Sequence, residues 1–146
     1  KPLEKQNYKL IISLKKDIQK ITKLRDKLIK NIKKIPNSKL NGSIENKRLC
    51  NNINFSFQGV EGEAIVSHLD ANNIYTSTGS ACSSNSLEPS HVLLAMGLSS
   101  KQAHGSLRIS LSKFNTEKEI DKTIEILPTI IKILRRISPK WHILKK

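Results

Sequence analysis

The sequence predicts an α+β domain: a small antiparallel or mixed sheet of three to four strands, covered by helices on one face, with a long N-terminal helix. Three observations lead there. Apolar residues recur every three or four positions from about residue 3 to 35 and again from about 116 to 137, the period of amphipathic helices. Between them, Asn52–Phe57 and Leu107–Leu111 alternate polar and apolar residues, the period of half-buried strands. The length of 146 residues suits one domain with its own core, and so few strands favour a single layer backed by helices.

Each element has its own signals. In the first helix Ile11, Leu14, Ile18, Ile21, Leu24, Leu28, Ile32 and Ile35 form one stripe with lysines between them, and Pro36 stops it. The stripe is expected to pack along the domain; a coiled coil is the sharper alternative. Residues 36–51 are polar and turn-rich, with Asn41-Gly42 a strong turn signal. After the strand at 52–57, Gly59 breaks the chain, and Glu61 to Ala71 reads as a helix burying Ala64, Ile65, Val66 and Leu69. Ile74-Tyr75-Thr76 is a short strand candidate. Glu88-Pro89-Ser90 opens a further helix, because proline and an acid both suit a first helical turn, and Gly97 suits its C-terminus. Thr116-Glu117-Lys118-Glu119 fits a capping box, and the helix it starts contains Pro128, which should kink it.

The net charge of +14 is segregated. Residues 1–48 are net +11, residues 99–146 net +7, and residues 49–98 contain no Lys or Arg and are net −4. Nucleic-acid readers add stacking aromatics or a known motif to such charge, and aromatics are only 4% here, so nucleic acid is not the expected partner. The 21 Lys, 20 Ile and 12 Asn all have A/T-rich codons, which supplies lysine without selection for charge. No apolar run reaches the ~18 residues of a membrane span, and no membrane association is expected. The chain begins Lys-Pro-Leu-Glu, without a start Met or an apolar signal core. It is therefore expected to be a fragment or processed chain of the cytoplasm, or of the matrix of an organelle with bacterial ancestry.

Cys82 carries the clearest chemistry. Apart from it, Ser77 to Ser86 consists of Ser, Thr, Gly, Ala and Asn, a loop with no apolar anchor that should be exposed and mobile. It leads into a helix N-terminus, where unpaired N–H groups favour a thiolate. Such a thiol suits a nucleophile or sulfur carrier; the bland alternative is a small core side chain. Cys50 has no comparable setting. His68, His91, His104 and His142 show no metal-ligand spacing with the cysteines and read as surface or capping residues.

Ser77-Thr78-Gly79-Ser80-Ala81-Cys82-Ser83-Ser84 resembles the active-site cysteine motif of the NifS/IscS-type cysteine desulfurases. The resemblance extends upstream to Asn51–Phe57 and Val60-Glu61-Gly62-Glu63. Downstream it takes in Leu87–Leu93, Ala103–Leu111, Phe114–Asp121 and Ser138-Pro139-Lys140-Trp141. It covers about residues 20–143. It implies the small C-terminal domain of a fold-type I, class V aminotransferase-like enzyme that uses pyridoxal phosphate and works as a homodimer. Such an enzyme takes sulfur from L-cysteine, releases alanine and leaves a persulfide, for iron–sulfur cluster assembly and tRNA thiolation.

The resemblance assigns the persulfide to Cys82 and the substrate carboxylate to Arg108, whose planar guanidinium can clamp a carboxylate with two bonds. It leaves Cys82 as a candidate iron–sulfur ligand and implies no other metal site. The partners it implies are L-cysteine, a sulfur-acceptor or iron–sulfur scaffold protein, and the large domain that binds the cofactor. The Ser-x-His-Lys-type segment that carries the family's Schiff-base lysine is absent, so the chain alone is expected to hold no cofactor and to be inactive. Gly105 and Ser112 stand where the family more often has Ser and Gly, and Cys50 where it has proline. The alternative reading is a non-catalytic domain or remnant that binds partners.

Overall fold

The computed structural model describes residues 2–44, 47–79 and 88–143, with the side chains of 2–9, 140 and 143 excepted. The chain runs α1 (Pro2–Ile32), β1 (Ser38–Leu40), β2 (Asn52–Phe57), α2 (Gly62–Asp70), α3 (His91–Ala95), α4 (Ser100–His104), β3 (Ser106–Ser110), α5 (Glu117–Ile137) and α6 (Pro139–Ile143). The strands form one antiparallel sheet in the order β1-β2-β3. Leu40 lies opposite Phe55 and Ile53 opposite Ile109.

Strand alternation divides the sheet into two chemically different faces. Ile53, Phe55, Phe57, Leu107 and Ile109 are buried in one cluster with residues of α1, α2 and α5. The other face carries Asn52, Asn54 and Ser56 on β2, directly opposite Ser110, Arg108 and Ser106 on β3. The longer helices α1, α2 and α5 therefore cover one face, and the polar face is left for the site, with α3 at its edge. The junction between α2 and the sheet is tight: a Cβ on Gly62 would overlap the backbone carbonyl oxygen of Ser106, so only glycine lets α2 start so close to β3.

Several expectations need correction. The stripe on α1 is buried only in its second half. Ile21, Leu24, Leu28, Ile32 and Ile35 join the core, whereas Ile11, Leu14 and Ile18 are about half exposed. β1 arises in a segment that reads as turn; three residues are too few for alternation to show. Ile74–Thr76 is not a strand, and only Ser77 forms an isolated bridge, to Arg108. Glu88 and Pro89 precede α3 instead of forming its first turn; Ser90 occupies the N-cap position.

α3 ends as expected at Gly97, whose φ is +85°. The Gly97 and Leu98 amides donate to the Leu94 and Leu93 carbonyls, the pattern of a Schellman motif, and Leu98 packs with Leu93. α4 has no counterpart among the expected elements, although its capping box, Ser99 with Gln102, stands in the sequence. α5 begins at the expected box, Thr116 with Glu119, and runs through Pro128 to Ile137. No helix among the described residues is long and apolar enough to cross a membrane.

Candidate functional site

A cavity of about 370 Å³ opens over the polar face of the sheet. Asn54 and Arg108 form its floor, Gly79 and Ser90 line one side with Leu93 of α3 and Met96 at its C-cap, and Arg48 lies on the wall next to the Asn41–Ser43 turn. β3 places Arg108 there because its neighbours Leu107 and Ile109 point the other way, into the core. Asn54 is its direct cross-strand partner on one side. On the other side Ser77 forms a complete hydrogen-bonded pair with it. The Arg108 amide donates to the Ser77 carbonyl at 2.7 Å, and the Ser77 amide donates to the Arg108 carbonyl at 3.1 Å.

The half-buried Arg108 guanidinium donates from Nε to Ser77 Oγ at 3.1 Å. Among the described residues its two Nη groups have no hydrogen-bond partner and no acid pairs with it. Asn54 Oδ1 accepts from Asn41 Nδ2 at 2.7 Å, and the same amide donates to Ser56 Oγ at 2.8 Å. This arrangement turns the Asn54 amide nitrogen away from Asn41.

Arg48 has the opposite character. Its guanidinium donates to the carbonyls of Ser43, Asn52 and Asn41. Arg25 in turn holds the Arg48 and Leu49 carbonyls at 3.2 and 3.0 Å. Burial, and then the charge of Arg25, pushes the Arg48 guanidinium below its ordinary value. Each of its three nitrogens thus makes one bond that holds the wall.

The root of the cysteine segment is closely fitted. A Cβ on Gly79 would sit 3.0 Å from both Ser106 Oγ and Leu93 Cδ1. The buried hydroxyls of Thr76 and Ser106 have no partner among the described residues. Cys82 itself, and residues 80–86 of the expected catalytic loop, lie outside the described residues. Cys50 is half-buried and packs against the main core as a small apolar side chain.

All four histidines are exposed, and no group of His, Cys, Asp and Glu among the described residues could hold a metal ion. The cavity also lacks the fittings of pyridoxal phosphate, which forms a Schiff base with a lysine and pairs its ring nitrogen with a side chain such as aspartate. Among the described residues Lys47 is the one lysine on the lining, outside any Ser-x-His-Lys context, and no carboxylate lines the cavity. The residues present do not fit the cofactor by themselves.

Sequence reasoning names Arg108, through the family resemblance, and the segment that begins at Ser77. It misses Asn54, although alternation within Asn52–Phe57 puts Asn54 on the polar face. It misses Arg48 and Arg25 because nothing local marks an arginine whose acceptors are distant carbonyls.

The model of the aminotransferase class-V family matches residues 6–123. The chain is 54% identical over 126 residues to the cysteine desulfurase IscS of Clostridium botulinum, an alignment covering 85% of this chain and 32% of that protein. It is 50% identical over 123 residues to cysteine desulfurase IscS 1 of Archaeoglobus fulgidus, covering 84% of this chain and 32% of the relative. A solved structure titled NifS-like protein superposes with a TM-score of 0.72 at 30% identity, over 85% of this chain and 30% of its own. The chain thus spans about a third of the length of the relatives it matches.

Proposed function

Since the chain belongs to the class-V aminotransferase family, we propose that it is the small C-terminal domain of a cysteine desulfurase, contributing substrate capture and sulfur acceptance. Arg108 takes the carboxylate of L-cysteine, and Cys82 takes its sulfur as a persulfide while alanine is released. The observation that carries the reading is the state of Arg108. It lines a cavity at the foot of the Cys82 segment, with both Nη groups lacking a partner among the described residues. A guanidinium in that state suits a bidentate carboxylate.

The wall arginine supports this division of labour, since each of its three guanidinium nitrogens already donates to a carbonyl. In the whole enzyme the activation of cysteine would be supplied by pyridoxal phosphate held in a cofactor-binding domain. The persulfide on Cys82 is passed to an acceptor thiol, as iron–sulfur assembly and tRNA thiolation require, and the whole enzyme is a homodimer.

The test joins this chain to the cofactor-binding portion of a class-V relative and follows alanine formation from L-cysteine. Cys82→Ala should abolish transferable sulfur and leave cofactor absorbance intact. Arg108→Lys should chiefly raise KM, because an ammonium cannot form the two-bond clamp. Full sulfur transfer by Cys82→Ala would refute the assignment and favour a partner-binding domain without catalysis.

A further inference from the structure

We propose that Ser77 is a positioning residue for Arg108: its hydroxyl occupies Nε, so that the guanidinium presents its two Nη groups end-on to a carboxylate. The inference rests on the carboxylate reading of Arg108 and specifies how that binding occurs.

A guanidinium carries five N–H donors in a planar fork. It can meet a carboxylate along its side, through Nε and one Nη, or across its end, through both Nη groups. Free in solvent, an arginine samples both. Here the side edge is already engaged, because Nε donates to Ser77 Oγ at 3.1 Å. The contact is not a chance meeting of two surface side chains. Ser77 and Arg108 are joined by two backbone hydrogen bonds, of 2.7 and 3.1 Å, which makes them a directly opposed antiparallel pair. Side chains of such a pair share one face of the sheet. Register alone therefore delivers the serine hydroxyl to the guanidinium.

The remaining surroundings agree. Leu107 and Ile109 anchor β3 on either side of Arg108 and fix where its side chain starts. Among the described residues no acid competes for the Nη groups. Immobilising Nε also removes rotamer freedom before a carboxylate arrives, so less order is lost on binding. Asn54, on the other flank, is held by Asn41 through its oxygen and does not hydrogen-bond the guanidinium.

The pair Ser77→Thr and Ser77→Val tests this on the 146-residue chain. The two side chains have the same shape and differ in the hydroxyl, and both keep the backbone pair. The first readout is the Arg108 Nε–Hε resonance in a nitrogen-15 NMR spectrum. It should stay in place with threonine and move toward the position of solvent-exposed arginines with valine. The amides of Ile53 and Leu107 report that the sheet is intact; Ser77→Ala, which removes less volume than valine adds, is the fallback if they shift.

The second readout is titration with L-alanine as the carboxylate probe. Valine should weaken binding about fivefold, the fold-change of one ordinary hydrogen bond, and threonine should preserve it. An Nε–Hε resonance that is unmoved by loss of the hydroxyl, or equal binding by the Thr and Val variants, overturns the inference. L-alanine perturbing none of the proteins overturns instead the carboxylate reading of Arg108, whichever way the Nε–Hε resonance falls.

Discussion

Arg108, Arg48 and Arg135 carry the same group and do different work, and the difference lies in what their donors meet. Arg135 is buried and donates to the carbonyls of Gln58, Pro36 and Asn37 at 3.0, 2.8 and 3.2 Å, with the Trp141 ring centred 4.3 Å from its guanidinium carbon. Burial lowers its proton affinity from the ordinary value, and the three carbonyls compensate the charge. Arg135→Leu should therefore cost about 1–3 kcal/mol in urea unfolding, because it removes three hydrogen bonds from a charged donor that tie α5 to the chain at Pro36, Asn37 and Gln58. Arg108→Leu should cost less stability than Arg135→Leu while removing carboxylate binding. Equal losses of stability would mean that Arg108 also serves chiefly to hold the fold.

These arginines also show where the sequence is silent. Partners of Arg135 lie 77 to 99 positions away, and no local pattern records a clamp on backbone carbonyls. Arg108 is legible because it sits in an alternating strand, which fixes its face, and because the surrounding motif resembles a known family.

At the scale of the element, α1 and α5 yield two predictions. The apolar period of α1 continues from Ile11 to Ile32, but Leu28 is fully buried and Leu14 is 52% exposed. Leu28→Ala should cost about 2–5 kcal/mol through the cavity it leaves. Leu14→Ala should change stability by no more than about 0.5 kcal/mol in this chain. Periodicity records which face is apolar, not how far along the helix something covers it, and so the sequence overstates the packed length of α1.

α5 starts on the Thr116–Glu119 box. The Glu119 carboxylate accepts from the Thr116 amide at 2.8 Å. This hydrogen bond, followed by one from Asn115, holds Glu119 below its ordinary value of 4.5. A carboxyl whose folded value is depressed stabilises the fold above its unfolded value and loses that contribution as pH falls through the folded one. Stability should therefore fall below about pH 4.5. Glu119→Gln, which can still accept from the amide, should flatten that part of the profile in thermal unfolding. An unchanged profile would assign the acid sensitivity to other carboxyls.

The α4 box, Ser99 with Gln102, is open to the same reasoning and is hidden only by the shortness of the helix. Ile74–Thr76 errs in the other direction. β-branched residues suggest a strand there, yet only Ser77, beyond them, finds a backbone to pair with.

For the whole molecule, the two-faced sheet links fold to function. Ile53, Phe55, Phe57, Leu107 and Ile109 hold the helices, and the same alternation raises Asn54 and Arg108 into the cavity on the opposite face. Alternation in 52–57 and 107–111 makes that division readable from the order of residues alone. The cavity itself is not readable, because its walls come from the turn at Asn41–Ser43 and from α3, joined only by tertiary packing. The most direct test of sulfur acceptance is peptide mass mapping after L-cysteine is added to a protein joining this chain to a class-V cofactor-binding domain. The expected result is the added mass of one sulfur on the Cys82 peptide, none on the Cys50 peptide, and loss of the adduct on reduction. Sulfur on Cys50, or on neither peptide while alanine is still formed, would contradict it.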